Sequence, residues 1–170
     1  MACNSLINIL KGCDANNIGG IYEVYIVDQD AVTATTIDST AHTITALTST
    51  TDFSIFQFKR NVGNFVTEET RDLIAGSNVI KSTVTLQFNR REGSKSRALS
   101  ILGEGQRYLA MIVKSADGTY TYFKDMQLMS SNEDSGTARA DGSKYTVTFT
   151  GEDATYPYFV SASVIPDLIS

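Results

Sequence analysis

Apolar and polar residues alternate strictly through Ser82-Thr83-Val84-Thr85-Leu86-Gln87-Phe88-Asn89. Val84, Leu86 and Phe88 share one face, and Thr83, Thr85 and Gln87 share the other. This is the period of an antiparallel strand that is wet on one side. The pattern returns at Tyr145-Thr146-Val147-Thr148-Phe149, where Thr146, Thr148 and Thr150 oppose the apolar set. Further strands are predicted over 21–27, after the Gly19-Gly20 turn, and over 43–48, 53–58, 107–114, 120–123 and 158–162. Ala116-Asp117-Gly118 and Ala140-Asp141-Gly142 each precede an alternating run. Asp-Gly in that place predicts a hairpin, because glycine accepts positive φ and aspartate bonds its own backbone.

One segment carries the helical period. Ala98, Ile101 and Leu102 stand at i, i+3 and i+4, with Leu99 adjacent, which predicts a helix over 92–102. Its outer face would hold Arg91, Lys95 and Arg97, and Gly103 and Gly105 would stop it. A short helix is also expected over 4–10. The stretch 32–51 is nearly half threonine and reads as a long hairpin or an extended loop. About nine strands and one helix predict an all-β chain with one flanking α-helix, a β-sandwich or barrel with an extended hairpin or loop. The organisation expected is a single domain over 1–170, with 1–18 as an N-terminal segment.

Composition narrows the function. The 170 residues hold two prolines, so long stretches are free to pair in a sheet. A formal charge of −5 disfavours a dedicated nucleic-acid binder, which needs a net basic footprint. No apolar run approaches a membrane span, and the first residues lack the basic and apolar regions of a secretory signal. Cys3 and Cys13 fit neither a metal spacing nor a disulfide framework and read as free thiols. His42 is the single histidine, so every Ser-His, Cys-His or His-zinc arrangement would need it; it sits in a Thr-rich strand pattern instead. No phosphate loop or HExxH is present, and Gly103-Glu104-Gly105 lacks the rest of a dinucleotide turn. The chain is therefore read as a non-enzyme, with no catalytic, cofactor-binding or metal-ligating residues.

The adjacent carboxylates Glu68-Glu69, Glu133-Asp134 and Glu152-Asp153 would point to opposite faces of a strand. Asp28 and Asp30 could share one side, but no further oxygen ligand follows at calcium-loop spacing, and 132–136 reads as an exposed loop. Arg90, Arg91, Lys95 and Arg97 form the one basic cluster. Residues 59–97 hold eight basic and four acidic side chains, whereas 1–58 hold one and six. Segregated charge of this kind suits registration between subunits. Tyrosine at a surface is a good interface residue, so Tyr22 and Tyr25 join the four cations as candidate intersubunit contacts.

These residues carry a resemblance. It lies in Gly19-Gly20-Ile21-Tyr22-Glu23-Val24-Tyr25-Ile26, in Phe88-Asn89-Arg90-Arg91-Glu92 ahead of a helix, and in 108–114 followed by Asp117-Gly118-Thr119-Tyr120. It extends to Tyr145-Thr146-Val147-Thr148-Phe149-Thr150-Gly151-Glu152 leading to Tyr156-Pro157-Tyr158. Over about residues 19–160 the chain resembles tail tube (major tail) proteins of tailed bacteriophages. The resemblance implies a structural virion protein, made in the bacterial host cytoplasm and placed in the phage tail. Its partners would be its own copies, in homohexameric rings that stack, and other phage tail proteins. Inward strands of all copies would form one barrel, with DNA passing non-specifically through the lumen during ejection and no membrane partner. The 32–51 segment would be the candidate for locking ring to ring. Two other classes stay open: another phage structural protein (capsid decoration, neck or baseplate), or a ligand-binding β-sandwich module offering Tyr122, Tyr145 or Tyr158 as stacking platforms.

Overall fold

A computed structural model describes residues 7–9, 18–59 and 62–169. In chain order the strands are β1 (Ile21–Asp28), β2 (Val32–Asp38), β3 (Thr43–Ser49), β4 (Ser54–Gln57), β5 (Asn64–Asp72) and β6 (Ser77–Asn89). The helix α1 (Gly93–Gly103) follows, then β7 (Leu109–Ser115), β8 (Tyr120–Asp134), β9 (Lys144–Asp153) and β10 (Tyr158–Val160). The all-β class with one flanking helix is what the alternation predicts. The 32–51 segment is a hairpin, β2–β3, whose second strand lies parallel to β10. The short helix expected over 4–10 falls mostly outside the described residues.

Two sheets share one strand. The first has the order β2-β3-β10-β8-β7-β1-β4, and the second is β5-β6-β9-β8. Strand β8 pairs with β7 as far as Met126 and with β9 from Gln127 onward, so it turns the corner between them. The turn is made at Asp125, which takes φ 52°. Aspartate is among the few non-glycine residues that tolerate that region.

The second sheet folds back over the first and encloses the main core. Val84, Leu86, Phe88, Val147 and Phe149 face Val24, Ile26, Met111, Val113 and Phe123, and Leu99 and Leu102 of α1 close the side. The opposite face of the first sheet is also covered. Tyr25, Val27, Ala110, Ile112 and Tyr122 pack under Ile44, Leu47, Val160 and the C-terminal 3-10 turn Ile165–Leu168. Strands β1 and β7 are therefore apolar on both faces, like the buried strands of layered proteins.

The corner is tight. A Cβ on Gly151 would lie 2.6 Å from Met126 Sδ and 3.1 and 3.2 Å from the carbonyl oxygens of Asp125 and Lys124. Gly151→Ala is expected to cost about 1–3 kcal/mol through overpacking, read as a lower urea midpoint. Gly93→Ala, which meets nothing within 4 Å, is the control and should lose no stability.

Candidate assembly surface

The outward face of the second sheet is built from the threonine rows. Register sets Asn64, Thr85, Thr148 and Ser130 in one row and Val66, Thr83, Thr150 and Gln127 in the next. Gln87, Thr146 and Asn132 make a third. These rows contain hydroxyls, amides and one valine, and no charged side chain. Charge enters only at the two ends. Glu68, Lys81 and Glu152 share a row at the end near the β5–β6 turn, and Lys144 meets Asp134 at 3.9 Å at the other.

Both edges of this sheet are open. Among the described residues no strand pairs with the far side of β5, or with β8 beyond Gln127 on the side away from β9. Strand β5 runs antiparallel to β6, β6 to β9, and β9 to β8. With four alternating strands, the two free edges run in opposite directions. A rotated copy can thus set its β5 against β8 as a regular antiparallel pair. An open edge of this length is an association hazard unless it is blunted or joined.

The two hairpins project from opposite ends. The β5–β6 turn exposes Leu73 at 92% and Ile74 at 100%. Asp72 Oδ1 accepts the backbone N–H groups of Ile74 at 2.9 Å and Ala75 at 3.0 Å, which stiffens the turn and holds the Asp72 carboxyl below its ordinary value. The β8–β9 loop is closed by Asp141 Oδ2, which accepts Thr137 N at 3.1 Å and Ala138 N at 2.7 Å.

The basic cluster gathers where β6 meets α1. Arg90, at φ 66°, lies 3.3 Å from Glu92, and Arg91 pairs with Glu133. Lys95 Nζ donates to Asn89 O at 2.8 Å and to Arg90 O at 3.2 Å, closing the end of the strand. Arg97 is exposed and has no partner among the described residues. Tyr22 is half-buried and shares a surface recess with Phe58 and Lys114. Tyr25, expected at a subunit contact, is 4% exposed inside the second core. Its strand is apolar on both faces, so alternation did not mark which face met solvent.

The Tyr25 hydroxyl donates to Glu23 Oε2 at 2.8 Å, Gln57 Nε2 donates to Oε1 at 2.9 Å, and Lys114 Nζ lies 3.4 Å away. The tyrosine hydrogen bond, foremost, outweighs partial burial and lowers the Glu23 pKa, while burial raises that of Tyr25. The folded value lies below the unfolded one, so this stabilisation is present above the unfolded value and is lost as pH falls through the folded one. Glu23→Gln is expected to be less stable than the parent by about 1 kcal/mol at pH 7, with the gap closing as pH falls through the lowered Glu23 pKa, in paired urea titrations.

Other chemistry expected of single residues resolves into structure. His42 stacks on Tyr158 with centroids 4.2 Å apart, and its Nε2 lies 3.1 Å from Tyr156 O, tying the β2–β3 turn to β10. Tyr122 and Tyr145 are 7% and 3% exposed, and the Tyr145 hydroxyl meets Ser96 Oγ at 2.6 Å, so neither is a surface stacking platform. Asp28 pairs with Arg107 at 3.3 Å. Among the described residues no group of three His, Cys, Asp or Glu comes together as metal ligands would, and no helix is long and apolar enough to cross a membrane. The edge strand β5 and the extension of β8 to Asp134 were missing from the sequence expectations; Phe65 and Thr67, alternating inward from β5, were the available signal. Compared with known families and with curated proteins, the chain matches none.

Proposed function

We propose that this chain is a phage tail tube subunit that assembles into hexameric rings, which stack around a channel for DNA. The observation that carries the reading is the second sheet: four alternating strands, both edges open, and an outward face whose middle rows are uncharged. Edge-to-edge pairing of β5 with the neighbour's β8 joins these sheets into one closed barrel and removes both open edges of the second sheet. The number six comes from the resemblance of residues 19–160 to tail tube proteins.

Six copies contribute twenty-four strands. At about 4.8 Å between strands and a tilt near 40°, such a barrel is roughly 50 Å across between backbones. Barrels of about 16–18 strands already hold a water channel, so this one is open. The middle rows of the lumen give a phosphate backbone nothing to bind ionically, Lys81 and Lys144 at its two ends face carboxylates, and the chain's charge of −5 repels it. DNA would slide rather than stick. Rim contacts would come from the basic residues Arg90, Arg91, Lys95 and Arg97.

Native mass spectrometry tests the stoichiometry. The reading expects a species of six 18.5-kDa chains, with slowed amide exchange along β5 and along 127–134 on assembly. A trimer with both edges still exchanging freely would assign the chain to another virion position, such as a decoration, neck or baseplate protein.

A further inference from the structure

The β5–β6 turn and a groove at the opposite end of the sheet complement one another. The groove, about 240 Å³, runs between β4 and α1 and is lined by Ile55, Phe56, Phe88, Ala98, Leu99 and Lys95, among others. Phe88 lies eleven residues along β6 from Ser77, where the turn ends, so groove and turn are about 35 Å apart on one molecule. A copy therefore cannot fill its own groove with its own turn. A second copy, stacked head to tail, can.

Charge agrees with shape. The hairpin that carries Leu73 and Ile74 also carries Glu68, Glu69 and Asp72 against Arg71 and, opposite Glu68, Lys81, so its outer end is net acidic. Lys95 lines the groove, and Arg97, which has no partner among the described residues, is exposed on the same helix. Two isoleucine- and leucine-sized side chains exposed at 92% and 100% on a hairpin braced by Asp72 form a preorganised apolar plug.

We infer that Leu73 and Ile74 of one copy dock in the β4–α1 groove of the next along the tube axis, with the acidic hairpin against the basic helix. This rests on the ring-stacking reading and replaces the 32–51 hairpin as the axial contact. Such an interface is heterologous and does not close, so it propagates a stack.

Cross-linking tests it. A variant carrying Ile74→Cys and Ala98→Cys, with Cys3 and Cys13 changed to serine, is treated at high concentration with a short bis-maleimide. Each copy then has one plug and one socket, so a ladder of dimers, trimers and longer chains is expected. Ile74→Cys alone should stay monomeric, because docking leaves its thiol beside Ala98 of the next copy and not beside a second thiol. Absence of a ladder, or dimers from the single-cysteine variant in the same yield as from the double, overturns the inference. In the otherwise native chain, Leu73→Ser with Ile74→Ser should abolish stacking at least tenfold in concentration while single rings persist. Undiminished stacks overturn it. Electron microscopy scores rings separately: ladders without rings keep this contact and remove the ring reading, and rings without ladders do the reverse.

Discussion

Phe149→Ala should destabilise the protein by about 3–5 kcal/mol and lower the melting temperature by roughly 10 °C. Phe149 is fully buried at the centre of β9, between β6 and β8, and its ring fills the space where the two sheets and Phe123 meet. Truncation removes the transfer energy of the ring and leaves a cavity in a region held by strands on both sides, which relax little. With total stabilities of about 5–15 kcal/mol, a loss of this size leaves a substantial unfolded fraction on mild heating. Thr148→Ala on the same strand removes one half-buried methyl and hydroxyl from the outward face and should change stability by no more than about 0.5 kcal/mol. Thermal melts of the two variants check the contrast. A small loss at Phe149 would mean that the core between the sheets is not as described.

The second large effect concerns assembly rather than folding. Val66→Lys together with Ser130→Lys places a positive charge on the outward side of each open edge. Natural edge strands use lysine in this way to prevent pairing. Both positions are exposed, so the monomer should melt within a few degrees of the parent. Like charges across a strand pair cost about 0.2–1 kcal/mol per joint. Summed over six joints this is about 1–6 kcal/mol, or about 10- to 10⁴-fold in the overall constant for ring formation, and because a six-chain ring spreads that factor over five association steps, the concentration needed for assembly rises by about 2–8-fold. Salt above about 1 M should restore part of the loss, since the Debye length there is about 3 Å. Light scattering against concentration reads the outcome. Unchanged assembly would remove β5 and β8 from the joint.

The same two edges mark what the sequence could and could not convey. Strands β6 and β9 are legible because Val84, Leu86, Phe88 and Tyr145, Val147, Phe149 keep an unbroken period of two against threonine. They form the middle of the second sheet, so the uncharged rows were visible in advance. Its flanks were not. Strand β5 carries Glu68, Glu69, Arg71 and Asp72 among nine residues and buries little of its own; pairing with β6 determines it. Residues 130–134 of β8 are all exposed, and their strand conformation is imposed by β9. An edge strand is dictated by its neighbour, and a neighbour distant in sequence leaves no local pattern.

Charge shows the same limit. The block 59–97 sums to a net positive charge, yet the fold sends Glu68, Glu69 and Asp72 to one end of the sheet and Arg90, Arg91, Lys95 and Arg97 to the other. The sum concealed a polarity that becomes visible only when β5 and β6 are paired. Tyr25 and Tyr22 differ for a related reason: both faces of β1 are apolar, and the layer of Ile44, Leu47, Val160 and the 3-10 turn over one of them assigns Tyr25 to the interior.

Electron microscopy of the purified protein at high concentration, with tags removed, tests the central claim most directly. The account predicts six-fold rings or stacked tubes with a central hole and a continuous strand wall around it. Particles of three-fold symmetry, or a monodisperse monomer with free β5 and β8 edges, would contradict it.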